Sequence, residues 1–181
     1  PARSAYSLAV AEARRRSVAG GLATEGGWGT AIEMDVKAVA ALWQTLEYWQ
    51  RLRGPRRMPA RKDLNPADIP RLLPKLMLAD VGRVDAGTDF PPIRFRLVGT
   101  EVVGRFGYEL TGRSLSKVDY GDQADEIAAL YRRTVDDGRP HYARIKFPAG
   151  RDRFLYMQHL LLPLSDDGAH VNMILAVVHC Q

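Results

Sequence analysis

The clearest periodicity in the chain lies between Asp35 and Arg53, where Val36, Val39, Trp43, Leu46 and Trp49 recur at spacings of three and four, and Leu42 and Leu52 widen the apolar stripe. This spacing predicts an amphipathic helix with Arg51 and Arg53 at its dipole-negative end and Gly54-Pro55 as its stop. Two tryptophans on one stripe demand an apolar partner. That partner is either the open end or outer face of a sheet, or the same helix of a second copy, which makes Trp43, Leu46 and Trp49 candidate dimer contacts. Farther along, the period changes to two. Ile93, Phe95 and Leu97 alternate with Arg94, Arg96 and Val98, the pattern of a half-buried strand. An apolar run over Leu76 to Val84 predicts the strand before it, and Asp85 to Pro92, with Gly87 and a Pro-Pro pair, the loop between them.

Gly99 and Thr100 close the Ile93 strand. Thr100 is the expected cap of a short helical segment from Glu101 to Phe106, ended by Gly107, and Thr111-Gly112 makes a further turn before Ser114 and Leu115. Asp122 to Asp137 reads as a second long helix, with Ile127, Leu130, Tyr131 and Val135 inward and Gly138 as terminator. The last third is strand: His141 to Phe147, a Gly150 turn, Phe154 to Leu164, an Asp166-Asp167-Gly168 turn and Val171 to Val178. Between the first helix and the sheet, Asn65-Pro66-Ala67-Asp68 is a compact helix start with Asn65 as N-cap. Two strands, then helices, then three strands predict an α+β fold, a five-stranded antiparallel sheet with helices on one face, preceded by the long N-terminal helix. The expected organisation is a flexible Ala/Arg/Gly-rich tail over 1–32, the helix and an Arg/Pro-rich connector over 33–75, and the core over 76–181.

Composition changes this picture little. The chain has 181 residues, enough for one core with a tail, and no run of 18 apolar residues that would cross a bilayer. It opens on Pro1 rather than Met, which reads as a processed or truncated chain. Its one cysteine, Cys180, forms no internal disulfide, which fits a reducing cytoplasm. The net charge of +5 raises a nucleic-acid or anionic-nucleotide reading centred on Arg51 to Lys62. Within it Arg53, Arg56, Arg57 and Arg61 are candidate anion ligands, since guanidinium forks suit phosphate and carboxylate. They could equally tie down a loop through Asp63 and Asp68.

Candidate chemistry is sparse. His141, His159, His170 and His179 show no metal-ligand spacing, and no nucleophile elbow, Walker loop or complete dinucleotide fingerprint is present. Asp136-Asp137 and Asp166-Asp167 precede glycines in turns, where Asp is favoured for backbone reasons. No catalysis and no metal are expected. Helices draped over one side of a sheet leave a pocket, however, lined by apolar groups with a few polar ones. Its candidate lining is Phe95, Leu97, Phe106, Tyr108, Leu115, Tyr131, Ile145, Met157 and His159, with His159 the polar contact on the strand Phe154 to Leu164.

The passage Arg96-Leu97-Val98-Gly99-Thr100, then Gly107, then Leu110-Thr111-Gly112-Arg113-Ser114-Leu115 resembles the centre of the PAS-domain sensor superfamily. Tyr48-Trp49, Leu52-Arg53, Pro59-Ala60-Arg61, Pro66-Ala67-Asp68-Ile69 and Leu73-Pro74 resemble, more narrowly, the opening of a single-domain PAS-like family of alphaproteobacteria. The resemblance spans roughly Asp35 to Val178. It implies a cytoplasmic sensory or interaction module in signal transduction, commonly a homodimer, that binds a small organic ligand or a protein partner. The photoactive flavin branch needs a cysteine beside the flavin, and the haem branch a histidine on the long helix. Cys180 and the helix Asp122 to Asp137 supply neither, so flavin and haem are not expected. A ligand-free dimeric adaptor is the remaining alternative. With no output domain following Gln181, any signal would pass to another protein.

Overall fold

The computed structural model describes residues 36–84, 90–148 and 154–180. The expected tail, most of the Asp85 to Pro92 loop and the Gly150 turn lie outside them. The elements, in order, are helix α1 (Val36–Arg53), three single 3₁₀ turns in the connector, strands β1 (Leu76–Val81) and β2 (Ile93–Val98), helix α2 (Thr100–Phe106), two more 3₁₀ turns, helix α3 (Ala124–Asp137), and strands β3 (His141–Pro148), β4 (Phe154–Leu164) and β5 (Met173–Cys180). The five strands form one antiparallel sheet in the order β2-β1-β5-β4-β3.

Helix α3 marks the inner face: the Tyr131 ring meets Phe95 edge-on at 6.4 Å, and Ile127 and Leu130 are buried beside it. Through the register, Phe95 shares that face with Ala79 and Ile174, and His159 shares it with Ala143 and Val178. The outer face carries Leu160, Leu162, Leu164, Leu175 and Val177, all buried as well. Helix α1, which packs across β4 and β5, closes it. The Trp49 indole N–H donates to the Pro163 carbonyl at 2.8 Å, and the Ser165 N–H donates to the Pro59 carbonyl at 2.9 Å. Both carbonyl and amide lie beyond the end of β3, where β4 has no strand partner on that side. The C-terminal end of α1 and its connector thus finish the hydrogen bonding that β3 leaves open.

Four local readings are corrected. Thr100 is the first residue of α2, not its cap; Gly99 caps the helix with no side-chain bond. β1 stops at Val81 and β5 starts at Met173, each shorter at that end than the apolar run. α3 begins at Ala124, after a separate 3₁₀ turn over Gly121–Gln123. Finally, β2 contains a bulge: Leu78 faces Leu97 while Ala79 faces Phe95, so Arg96 is the extra residue. That single insertion reverses the alternation and turns Leu97 to the outer face, where it is 46% exposed.

Gly99 is confined by its neighbours. Its N–H donates to the Leu76 carbonyl at 2.7 Å, and a Cβ at this position would sit 2.3 Å from the Pro74 carbonyl oxygen and 2.5 Å from that of Leu73. Gly104, mid-way along α2, has nothing within 4 Å of such a Cβ. Urea titration of Gly99→Ala is expected to show a loss of about 2 kcal/mol, the usual cost of overpacking. Gly104→Ala, on the same helix, is expected to gain about 0.5 kcal/mol.

Candidate ligand site

The inner face of β4 carries His159 in among apolar neighbours. It is 4% exposed, its Nε2 has no hydrogen-bond partner, and burial lowers its pKa from 6.5 to about 4. The imidazole is therefore neutral. Its cross-strand neighbours are Ala143 and Val178, neither of which offers a side-chain acceptor or donor. Two residues along the same face, Met157 stands opposite Ile145. Met157 also lines a cleft of about 300 Å³ with Phe106, Tyr108, Phe147, Arg105 and Asp119.

A second cleft of about 490 Å³ opens at the β2 side of the sheet, walled by Ile93, Leu115, Val118, Tyr120 and the start of α3. Phe106 packs edge-on against Tyr120 at 5.9 Å and against Tyr108 at 6.3 Å, so an aromatic pair links the walls of the two clefts. Burial raises the Tyr120 phenol, with Tyr131 and Tyr108 adding to the effect, and burial alone raises that of Tyr131. Both phenols are neutral. The arrangement around His159 is a mostly apolar interior with a neutral imidazole, suited to holding an uncharged or weakly polar organic group.

Of the nine expected lining residues, the structure gathers Phe106, Tyr108 and Met157 at one cleft and Leu115 at the other, and buries Phe95, Tyr131, Ile145 and His159 on the inner face. Leu97 does not join them, because the bulge at Arg96 sends it outward. Phe147 and Tyr120 line these clefts as well. Their signal was present in the alternation of β3 and in an aromatic beside Gly121.

The dimer candidates separate in the same way. Leu46 and Trp49 are buried against the chain's own sheet, with Trp49 2% exposed, so neither is free to meet a second copy; Trp43 is half-buried at the margin. The candidate anion ligands are drawn to different structural partners. Arg53 stacks over Trp49 at 5.7 Å, and Arg56 pairs with Asp63 at 2.8 Å and donates to the Leu52 carbonyl. Arg57 donates to the Asp137 carbonyl at the end of α3, and Arg61 to that of Leu64. The Ala60 N–H and the Arg56 guanidinium hold the Asp63 carboxyl below its usual pKa. Among the described residues no His, Cys, Asp and Glu group is placed to hold a metal ion, and no helix is long and apolar enough to cross a membrane.

Titration of His159 gives a test. A histidine charged more readily in the unfolded chain takes up protons on unfolding, so its contribution is complete above pH 6.5 and is lost as pH falls towards 4. Chemical unfolding at pH 7.5 and 4.5 is expected to show about 2 to 3 kcal/mol more acid destabilisation in the native chain than in His159→Leu. Equal losses in the two would mean that the imidazole reaches water or an acceptor.

Comparison with known proteins bears on the whole described region. The family model described as PAS domain matches residues 36–178. No curated protein matches the chain in sequence. Among solved structures, a light-oxygen-voltage domain studied with a flavin analogue is 12% identical over 64% of this chain and 82% of its own, with a TM-score of 0.47. The LOV protein of Rhodobacter sphaeroides is 14% identical over 81% of this chain and 68% of its own, at 0.44. The PAS domain of Bordetella pertussis BvgS is 15% identical over 62% and 83%, also at 0.44.

Proposed function

Because the chain belongs to the PAS domain family, we propose that it is a sensory or interaction module of signal transduction that holds a small organic ligand on the inner face of its sheet. The observation that carries this reading is His159. A buried polar atom without a partner costs about 1 to 3 kcal/mol, a cost that an occupied site removes. A ligand entering by the cleft of Phe106, Tyr108 and Met157 would give that Nε2 its partner and give the aromatic pair Phe106–Tyr120 something to press against.

The narrower readings belong to the same proposal. The chain acts without chemistry of its own, in the cytoplasm, as one of the single-domain PAS-like proteins of alphaproteobacteria, and works as a homodimer that passes its state to another protein. The segment 33–75 serves as a cap on the core 76–181, since α1 shields the outer face and its connector reaches round to the end of α3 through Arg57. Trp43, which is only half-buried, is the member of the tryptophan stripe left at the surface for a second copy.

Native mass spectrometry of the purified chain, followed by denaturing extraction, tests the reading directly. The expected result is a released organic molecule of defined mass; that mass also separates a flavin from other ligand classes. Met157→Trp, which fills the cleft, is expected to release the molecule from a folded protein. Leu97→Trp, which points outward, is expected to retain it. Loss from both variants, or from neither, would remove the inner-face site.

A further inference from the structure

The basic segment Arg51 to Lys62 gives Arg53, Arg56, Arg57 and Arg61 to structural partners, but its first member does not follow them. Arg51 is exposed and lies over the Tyr48 ring, its guanidinium carbon 5.3 Å from the centroid. Tyr48 is itself fixed: its hydroxyl accepts from the Asn65 N–H at 2.8 Å and donates to the Asn65 carbonyl at 3.1 Å. Gln44, Glu47, Tyr48 and Arg51 make one stripe of α1, since residues three or four apart share a helix face. Across from that stripe runs the connector passage Asp68 to Leu72, and the two enclose a cleft of about 560 Å³. Its apolar lining is Tyr48, Ile69, Pro70 and Leu72.

Glu47, Arg51, Asp68 and Arg71 border the cleft, two charges of each sign, but the two signs are not equally engaged. Asp68 accepts from the Asn65 side-chain amide at 3.3 Å, and Glu47 has an interaction of its own. Among the described residues the Arg71 side chain has no hydrogen bond, ion pair or ring contact, and Arg51 has only the Tyr48 ring. Two guanidiniums thus stand beside an apolar lining without an anion. A guanidinium fork matches the two coplanar oxygens of a carboxylate and binds them with charge-assisted bonds. Glu47 and Asp68 limit how much negative charge the cleft accepts, because each further anionic group meets their repulsion. A nucleic-acid strand, with a phosphate at every nucleotide, is therefore a poor occupant. An uncharged compound would leave both guanidiniums unused.

We propose that the cleft between α1 and its connector binds an organic monocarboxylate with an apolar body, the carboxylate held by Arg51 and Arg71 and the body lying against Ile69, Pro70 and Leu72. The site is separate from the one on the inner face, since no residue of this cleft lines either of the other two. One of its walls is the helix that covers the outer face of the sheet. The other is the passage that runs on through the turn Leu73–Lys75 into β1. A bound acid would therefore tie the covering helix to the chain that enters the sheet beneath it.

The test is a benzoate titration of the full 181-residue chain, followed by NMR at the Arg51 and Arg71 Nε–H groups and the Ile69 and Leu72 backbone amides. All four signals are expected to shift saturably. Arg51→Gln and Arg71→Gln are each expected to weaken binding about tenfold, the loss of one charge-assisted hydrogen bond. Because Arg71 makes no other contact among the described residues, its variant probes the site without disturbing the packing of α1. Benzyl alcohol, which has the ring without the charge, and inorganic phosphate, which has the charge without the ring, are each expected to bind about tenfold more weakly than benzoate or worse. Phosphate binding as tightly as benzoate would show an unselective anion site, and the alcohol doing so would show an apolar surface alone; either result overturns the proposal. So does a titration without saturable shifts at these groups, or one that neither arginine variant weakens. Saturable shifts confined to Met157 and His159 overturn it too, by placing benzoate on the inner face, a site that the mass measurement of the extracted ligand tests on its own.

Discussion

The structure depends on a sheet whose centre is apolar on both sides. β4 and β5 bury leucines, isoleucine and valines on each face, and a sheet with two apolar faces is stable only between two layers. α2 and α3 supply one layer from within the sheet's own connections. The other has to come from outside the strand-helix-strand order, and α1 supplies it. The Trp49–Pro163 and Ser165–Pro59 bonds fix where that helix ends, because they answer backbone groups of β4 that β3 is too short to reach. The tryptophan stripe is thus a consequence of the sheet: an indole gives both the apolar area and the one N–H that the Pro163 carbonyl requires.

The Leu110 to Ser114 passage is explained by the opposite edge. β2 is an edge strand, and an edge leaves a row of unpaired backbone groups open to association. Here the Gly112 N–H donates to the Phe95 carbonyl at 2.6 Å, the Phe95 N–H donates to the Arg113 carbonyl at 2.9 Å, and Arg94 pairs with Ser114. Gly112 reaches that position with φ at +84°, a conformation that favours glycine. The Leu110 to Ser114 passage is therefore an edge cover, and the Arg96 bulge lies in the strand that it covers. The same bulge makes Leu97 misleading to a reader of alternation.

Element type was legible along most of the chain because the period of each segment was clean: 3.6 in α1 and α3, two in β2, and turn residues between the last strands. Facing was legible only where no bulge intervened: Phe95, Ile145, Met157 and His159 share the inner face, and Leu97, beyond the Arg96 bulge, does not. The role of α1 was half legible. Its stripe announced an apolar partner, but the choice between a sheet and a second helix depends on whether the outer face is apolar. Leu160, Leu162 and Leu164 run on one side of β4 while Leu161 and Pro163 face the other, so continuous leucine hid a strand buried on both sides. The arginines were legible as charge and not as geometry, since the carbonyls of Leu52, Leu64 and Asp137 that engage them leave no trace in sequence.

Two of the buried polar residues of the core, each with a side-chain nitrogen that has no partner, fall on one peptide unit. Gln158 and His159 are consecutive, so the backbone between them is shared by the inner and outer layers. A strand in a packed sheet moves little as a whole, but a change of twist at one residue turns its side chain and that of its neighbour together. The segment that carries His159 into the inner layer is therefore the one that carries Gln158 into the outer layer. A strand buried on both sides is at every step the shortest covalent connection between its two layers, and at this step both side chains carry a buried nitrogen without a partner.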